Sequence, residues 1–352
     1  MRLPTEAGGR LPANDAAATM SFCQHAQIAM TAIAVVGAFL AGGCVGFAPA
    51  LKPPKLSASV QRGSIQVAPL NRSYLFYVPR NLPTNPALVF ALHGATQNAE
   101  RMRVCTGYEF ERLADEHGFV VIFPNGYKNH WNDCRKAASY SARRKNINDG
   151  AFIQALIERF HSTLGADQTR VFVMGYSNGG HMAYRLALEM PERFAAIAAV
   201  AANLPANDNC DCRKSGRSIP VMIMNGTADP INPDGGGKIT LFGFGNRGTV
   251  LSSRKSAEYF ARLDSQEVEP EISRLPSHNS ADHTCVEILE WNAPGKPEVV
   301  LESIKGGGHV VPQPNYKAPR FLGRTTHVVN GPEEIWNFFA RQRPLGGAEQ
   351  RP

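Results

Sequence analysis

The chain has 352 residues, of which 43% are hydrophobic and 19% are charged, and its formal net charge is +7. This composition supplies apolar material for one large core and excludes disordered and fibrous proteins. Basic residues form only short groups such as Arg143–Lys145. Without a long basic stripe, the excess charge does not indicate a nucleic-acid-binding protein.

The first fifty residues have the features of a targeting segment. No charged side chain occurs from Ala26 to Leu51, and the Gly/Ala-rich end of this stretch suits a processing site. Leu40–Cys44 resembles a bacterial lipoprotein cleavage box, although Leu40 lies four residues before the cysteine rather than three. Three interpretations stay open: a cleaved signal peptide, a lipoprotein signal with Cys44 acylated, and a retained membrane anchor. A buried core helix is disfavoured because a Pro-rich stretch follows. We therefore expect a secreted or periplasmic protein, lipid-anchored or tethered in two of the three cases.

The domain organisation follows from these boundaries. We expect the targeting segment to occupy residues 1–51 and a linker residues 52–62. One folded domain should then occupy residues 63–343, with a tail at residues 344–352.

Five cysteines belong to the expected domain, namely Cys105, Cys134, Cys210, Cys212 and Cys285. No pair of C-x-x-C units exists among them, so no zinc site is indicated. We expect one or two disulfides and one spare thiol, with the pairing left open.

Buried apolar runs alternate with longer amphipathic stretches along the domain. The sequence predicts strands at 72–78, 87–92, 119–123, 170–176, 195–201, 219–225, 272–275 and 299–304. It predicts helices at 99–117, 149–164 with Asp149 as N-cap, 178–189, 249–263 and 332–341. This alternation indicates an α/β fold, a mostly parallel sheet with helices on both faces.

Gly175–Gly179 matches the pattern G-x-S-x-G at the junction of a predicted strand and a predicted helix. A serine on such a strained turn projects beyond the sheet edge, and the helix N-terminus directs partial positive charge at it. Ser177 is therefore the candidate nucleophile. The alternative is a structural turn with an idle serine.

A nucleophilic serine needs a base, and the base needs an orienting acid. Asp229 directly follows the strand at 219–225, and His309 ends a glycine-rich turn after the strand at 299–304. In a sheet that carries its nucleophile on such a turn, the three residues follow one another along the chain in the order Ser, Asp, His. Asp234 is the rival acid in a looser segment, and we favour Asp229.

Other histidines fit the base role less well. His278, His283 and His327 lack a preceding buried strand and a glycine-rich turn, so we expect surface or packing roles.

Acyl transfer by a nucleophilic serine also needs N–H groups that hold the oxyanion. The backbone N–H of Asn178 is one candidate donor, and that of Ala95 in the loop after the strand at 87–92 is the other. Gly94 permits the close turn, and His93 is expected to be structural.

Seven segments together resemble the polyhydroxybutyrate depolymerase and feruloyl esterase group of α/β-hydrolases: Leu92–Gln97, Phe123–Gly126, Trp131–Cys134, Asn148–Phe152, Gly175–Met182, Asn225–Asp229 and Gly307–His309. The resemblance covers residues 63–341. It implies an α/β-hydrolase fold and a serine esterase that needs no cofactor. The implied substrates are short hydroxyacid oligoesters such as polyhydroxybutyrate fragments, or feruloyl and acetyl esters.

The resemblance places Trp131 near the acyl pocket, and we expect Tyr176 to contact substrate as well. The alternative for Trp131 is packing of its long loop. The chain departs from the group's pattern at Asn148–Gly150 and in the glycine-rich insert Leu241–Asn246. No polymer-binding module is visible, which favours soluble oligomers or small esters over crystalline polyester.

Three other functions remain open from the sequence. They are an acyltransferase, a peptidase of the prolyl-oligopeptidase kind, and a non-catalytic envelope protein that binds through the same fold. The peptidase is disfavoured because no propeller-like repeat occurs.

Overall fold

The computed structural model describes residues 51–266, 269–275 and 283–345. Residues 1–50 of the targeting segment expected at residues 1–51, with Cys44 among them, lie outside the described residues. His278 and residues 346–352 of the expected tail lie outside them as well.

Twelve strands occur in the described part of the chain. They are β1 (Gln61–Val67), β2 (Leu70–Tyr77), β3 (Leu88–Leu92), β4 (Val120–Pro124), β5 (Val171–Tyr176), β6 (Ala196–Val200), β7 (Val221–Gly226), β8 (Gly237–Lys238), β9 (Thr249–Val250), β10 (Glu271–Leu275), β11 (Cys285–Trp291) and β12 (Val299–Lys305). Ten of them form one sheet in the order β1-β2-β4-β3-β5-β6-β7-β12-β11-β10, and β8 pairs with β9. Pairing is parallel from β4 to β12 and antiparallel at both edges.

Seven α-helices accompany the strands in the same described residues. They are α1 (Ala99–Cys105), α2 (Glu109–His117), α3 (Ser141–Arg144), α4 (Asp149–Leu164), α5 (Asn178–Glu189), α6 (Ser253–Leu263) and α7 (Gly331–Ala340). Short 3₁₀ turns lie at Pro191–Arg193 and Arg320–Leu322.

The central strands β3, β5, β6 and β7 are buried at every position, which explains their continuous apolar sequences. One core lies between the sheet and α4, α5 and α6, and it includes Phe152, Met182 and Phe260. A second core lies on the opposite face beneath α1, α2 and α7, and it includes Phe110 and Phe338. The expected α/β fold with helices on both faces is confirmed.

Two predicted helices differ in the structure. The stretch 99–117 is two helices, because Gly107 and Tyr108 adopt left-handed φ angles of +66° and +59° that end the first one. The stretch 249–263 becomes helical only at Ser253, after Ser252 caps it by accepting the N–H of Lys255.

The N-cap of α4 is Asn148, whose Oδ1 accepts the N–H of Ala151, so the assignment of Asp149 to this role was wrong. Asp149 is buried and paired with Arg72 at 2.7 Å. It also accepts the N–H of Asn132 at 2.8 Å. A buried carboxylate needs such partners, which explains why it does not cap the helix.

One disulfide joins Cys134 to Cys212. Cys210 and Cys285 are both free thiols, so the expectation of one spare thiol was too low. Disulfides persist in oxidising compartments, so this bond supports a location outside the cytosol.

The folded part begins earlier than the boundary expected at residue 63. Leu56, Ala58 and Val60 pack against the second core, and the Ser57 hydroxyl donates to Asp115 at 2.5 Å. Within the described ranges, no helix has the length and apolar character needed to cross a membrane.

Candidate active site

Ser177 lies on a strained turn between β5 and α5. Its φ is +54°, a conformation that an L-residue other than glycine rarely adopts. The Ser177 N–H donates to the carbonyl of Val200 at 2.8 Å, which ties the turn to β6. A Cβ on Gly179 would collide with the carbonyl oxygen of Leu92, so glycine is required where α5 approaches the end of β3. The turn therefore holds the serine beyond the sheet edge, as its pattern predicts.

His309 lies between Ser177 and Asp229. Its Nδ1 is 2.7 Å from Asp229 Oδ2, and its Nε2 is 2.9 Å from Ser177 Oγ. Because a carboxylate only accepts, Nδ1 carries the proton, and Nε2 is left to accept from the serine hydroxyl. His309 and Asp229 are nearly fully buried. The second oxygen of Asp229 accepts the N–H groups of Ile231 and Asn232, which fixes the carboxylate.

The backbone of His309 is held from two sides. Its N–H donates to the carbonyl of Leu322 at 2.6 Å, and its carbonyl accepts the hydroxyl of Tyr176 at 2.8 Å. The rings of Tyr176 and His309 are 5.3 Å apart. Tyr176, which we expected to contact substrate, thus contacts the histidine and is 5% exposed.

The N–H groups of Ala95 and Asn178 lie where two neighbouring strands, β3 and β5, end. Among the described residues, neither N–H is engaged in a hydrogen bond. Gly94 lies against the ring of Tyr176, and the close approach of Gly179 to Leu92 brings the first turn of α5 beside this loop. Neither N–H is therefore committed to a partner in the described part of the chain.

The side chain of Asn178 is clamped by the loop that contains Trp131. Its Oδ1 accepts the N–H of Trp131 at 2.9 Å, and its Nδ2 donates to Asp133 Oδ2 at 2.6 Å. Asp133 pairs with Arg135 at 2.6 Å, and both side chains are buried. Burial by itself would raise the pKa of Asp133, but the charge and hydrogen bonds of Arg135 bring that pKa below its ordinary value.

Asp133 and Arg135 are parts of the site that the sequence analysis does not predict. The motif Trp131–Cys134 indicates a role for its aromatic residue and gives none to the polar side chains of Asp133 and Arg135. The signal present in the sequence is an Asp two residues before an Arg, within a segment that resembles the family's pattern.

Trp131 is fully buried, and its indole N–H donates to the carbonyl of His93 at 2.9 Å. These contacts favour packing of the loop over contact with substrate. His93 is also fully buried: Nδ1 donates to the carbonyl of Gly94 and Nε2 accepts the N–H of Gly126. Burial lowers the pKa of His93 to about 4, so it stays neutral. Its contacts are those of a structural residue.

Other histidines lie outside the Ser177–His309–Asp229 arrangement. His283 is exposed, and His327 Nδ1 is 3.2 Å from the carbonyl of Gln313. His181 in α5 is buried, and its pKa is well below the ordinary value because of that burial and the charge of Arg135. In the described part of the chain, no three His, Cys, Asp or Glu side chains are grouped so as to hold a metal ion.

Comparison with known proteins assigns the family. The family model described as Esterase PHB depolymerase matches residues 72–258. The chain belongs to this family. It is a carboxylic ester hydrolase, because the matching family and the relatives below all carry esterase names.

Relatives of this Esterase PHB depolymerase family member include a protein of Nocardia uniformis named "Putative esterase NocK". It is 27% identical over 315 residues, which cover 86% of this chain and 87% of NocK. Acetylxylan esterase A of Talaromyces purpureogenus is 36% identical over 121 residues, 34% of this chain and 31% of that enzyme. Feruloyl esterase B of Neurospora crassa is 34% identical over 134 residues, 37% of this chain and 44% of that enzyme. The matches to the two fungal enzymes thus span less than half of each.

Among solved structures, the acetyl xylan esterase from Aspergillus awamori superimposes with a TM-score of 0.55 at 19% identity. The superposition covers 80% of this chain and 99% of that one. This similarity shows that the two proteins share the α/β-hydrolase fold.

Proposed function

We propose that this esterase cleaves carboxylic esters through Ser177, His309 and Asp229 by way of an acyl-enzyme. The observation that carries the proposal is the continuous hydrogen-bonded arrangement from Ser177 Oγ through the His309 ring to Asp229, with the serine on a strained turn. Each group has the partner that its role demands.

The reaction proceeds in two acyl transfers. Ser177 Oγ attacks the ester carbonyl carbon as its proton passes to His309 Nε2, and Asp229 stabilises the resulting imidazolium. The tetrahedral oxyanion accepts the N–H groups of Ala95 and Asn178. His309 then returns the proton to the alcohol oxygen, the C–O bond breaks, and the alcohol leaves. Water then attacks the acyl-enzyme carbonyl carbon as His309 takes its proton. The bond from that carbon to Ser177 Oγ breaks, His309 returns the proton to Oγ, and the acid leaves.

The proposed substrates are esters of short hydroxyacids, including polyhydroxybutyrate fragments, or feruloyl and acetyl esters. The family description supports the first group, and the names of the fungal relatives support the second. We also propose that the protein is exported through its N-terminal segment, which is cleaved, retained as an anchor or acylated at Cys44. The disulfide supports this location.

The test is hydrolysis by the full chain of p-nitrophenyl butyrate, hydroxybutyrate oligomers and methyl ferulate, compared with Ser177→Ala. The matched control is Ser162→Ala, since Ser162 is an exposed serine on α4. We expect Ser177→Ala to lose turnover and labelling by a fluorophosphonate probe, and the control to retain both. Full activity of a folded Ser177→Ala variant would refute the assignment.

The same variants, assayed also on peptides and with an added alcohol as acyl acceptor, separate the remaining alternatives. Ser177-dependent labelling without hydrolysis, but with acyl transfer to an added alcohol, would favour an acyltransferase. Ser177-dependent cleavage of peptides but not of esters would favour a peptidase. The relative rates on the oligomers and on ferulate decide between the two substrate groups.

A further inference from the structure

We use the name aromatic rim for three phenylalanines on two loops: Phe242, Phe244 and Phe321. Phe244 is 53% exposed and Phe321 is 39% exposed. Phe242 and Phe321 meet edge to face with ring centroids 5.9 Å apart, although they are far apart in the sequence. The rim therefore joins the insert Leu241–Asn246 to the 3₁₀ turn at Arg320–Leu322.

The rim is adjacent to the loop of the proposed base. Leu322, the neighbour of Phe321, accepts the N–H of His309 at 2.6 Å. The next residues continue the contact, because the N–H of Gly308 donates to the carbonyl of Arg324 at 2.9 Å. Phe321 is thus fixed to the segment that holds His309.

The insert presents Phe242 at a conformational cost. Leu241 and Phe244 exchange two backbone hydrogen bonds of 2.8 and 3.0 Å, which closes a two-residue turn. The central residues, Phe242 and Gly243, have φ angles of +52° and +85°, the pattern of a type I′ turn. Asn or Gly is preferred at the first of these positions, and a bulky aromatic residue there is strained. Backbone strain of this kind is concentrated where a side chain serves a ligand.

The order of the strands tells which part of an ester faces the rim. The loop with Ala95 follows β3 and Ser177 follows β5, whereas Asp229 follows β7 and His309 follows β12. The oxyanion donor of the β3 loop and the histidine thus lie on opposite sides of the serine. Because His309 protonates the leaving oxygen, the alcohol part of the ester extends to the histidine side, where the rim lies.

We propose that the aromatic rim binds the alcohol part of the ester and selects apolar alcohols, such as the next unit of a hydroxyacid oligoester. This proposal rests on the proposed function, because it uses the roles of Ser177 and His309. Phenyl rings offer apolar contact area and no hydrogen-bonding group. If the alcohol part of the ester were a sugar, its hydroxyls would require polar groups placed to pair with them. The three phenyl rings supply no such hydrogen-bond partners.

The test compares kcat/KM of the full chain for hexyl acetate and methyl acetate, two esters whose leaving alcohols differ mainly in apolar length. The variant is Phe242→Asn, which removes the ring while supplying a residue that the type I′ turn prefers, so the insert keeps its shape. The control is Ile272→Thr, because Ile272 is 56% exposed on the edge strand β10. We expect the hexyl-to-methyl ratio to fall about tenfold in Phe242→Asn and to be unchanged in the control.

An unchanged ratio in Phe242→Asn, and in the combined variant Phe242→Asn/Phe244→Ser/Phe321→Ser, would overturn the proposal. So would a fall on a xylose acetate as large as that on hexyl acetate, because the rim would then serve a sugar. Failure of the proposed function gives a different result. In that case Ser177→Ala retains turnover of both alkyl acetates, whatever the rim variants do.

Discussion

The side-chain amide of Asn178 donates to the carboxylate of Asp133 at 2.6 Å, and this bond connects the proposed oxyanion donor to a buried ion pair. The loop of Asp133 is fastened in turn to a neighbouring segment. Cys134 forms the disulfide with Cys212, and its carbonyl accepts the N–H of Asp211 at 3.0 Å. The orientation of the donor therefore depends on a loop that has no role in the chemistry itself. We infer that Asp133 is a positioning residue.

Replacing Asp133 by Asn should lower kcat by about 10- to 100-fold with little change in KM, because a displaced oxyanion donor weakens only transition-state binding. The same change should destabilise the fold by about 3–5 kcal/mol, since it leaves Arg135 buried and unpaired. Steady-state kinetics and urea denaturation measure the two effects.

Two comparisons separate positioning from stability. The double variant Asp133→Asn/Arg135→Gln removes the buried charge and should recover stability while kcat stays low. Asp167→Asn disrupts the more exposed pair with Arg170 and should change neither quantity appreciably. If the double variant recovered wild-type kcat, Asp133 would act only through stability.

The parts of this site that follow from local sequence were predictable. The strand before Ser177 is continuously apolar, and the glycines around the serine mark the close approach of strand and helix. The ends of the two strands that precede Asp229 and His309 are equally clear in the sequence. The approach of these two side chains to each other could therefore be expected from the order of a parallel sheet.

The clamp on Asn178 could not be predicted in the same way. Asp133 and Asn178 are 45 residues apart, and nothing in the spacing of polar residues on a loop specifies a partner across the fold. The edge strand β1 and the penultimate strand β11 are not predicted from the sequence for a different reason. Their residues alternate between exposed and more buried positions with polar side chains between, which gives a weak apolar signal.

The end of helix α1 is also difficult to predict at Tyr108. This residue has a left-handed φ, which a tyrosine rarely adopts.

Loss of the disulfide should be costly for stability. The bond Cys134–Cys212 spans 78 residues of sequence, and its removal should lower the free energy of unfolding by about 2–5 kcal/mol. Cys134→Ser/Cys212→Ser and the reduced wild type should behave alike in urea denaturation. The control is Cys285→Ser, an exposed thiol, which should shift stability by less than about 0.5 kcal/mol. Wild-type stability of the double variant would show that the loop is held without the bond.

Ser177 should carry a stability penalty for its position. Glycine accepts a positive φ without strain, so Ser177→Gly should be more stable than Ser177→Ala by about 1 kcal/mol, although both lack the nucleophile. The comparison is made between two inactive variants, so differences in bound substrate or product do not enter. Thermal unfolding of both proteins under identical conditions measures the difference. A Gly variant that is less stable than the Ala variant would mean that the turn is not strained.

Glu302 in β12 should make the stability of the fold fall as pH rises. Burial, and then the nearby charge of Glu334, raise the pKa of Glu302 from its ordinary 4.5 to about 8. The folded state therefore holds a proton that the unfolded state releases above pH 4.5, and stability is lost progressively between about pH 4.5 and pH 8.

Glu302→Gln removes this loss because the amide does not ionise. We expect the variant to match the wild type near pH 4 and to exceed it by on the order of 4 kcal/mol at pH 8.5, measured by urea denaturation at each pH. Glu287 on the neighbouring strand β11 should contribute the opposite dependence of stability on pH. Its hydrogen bond to Lys305 lowers its pKa despite partial burial. Glu287→Gln should therefore cost stability at neutral pH and become neutral in acid. A wild-type curve that runs parallel to that of Glu302→Gln from pH 4 to 8.5 would show that Glu302 is not protonated in the fold.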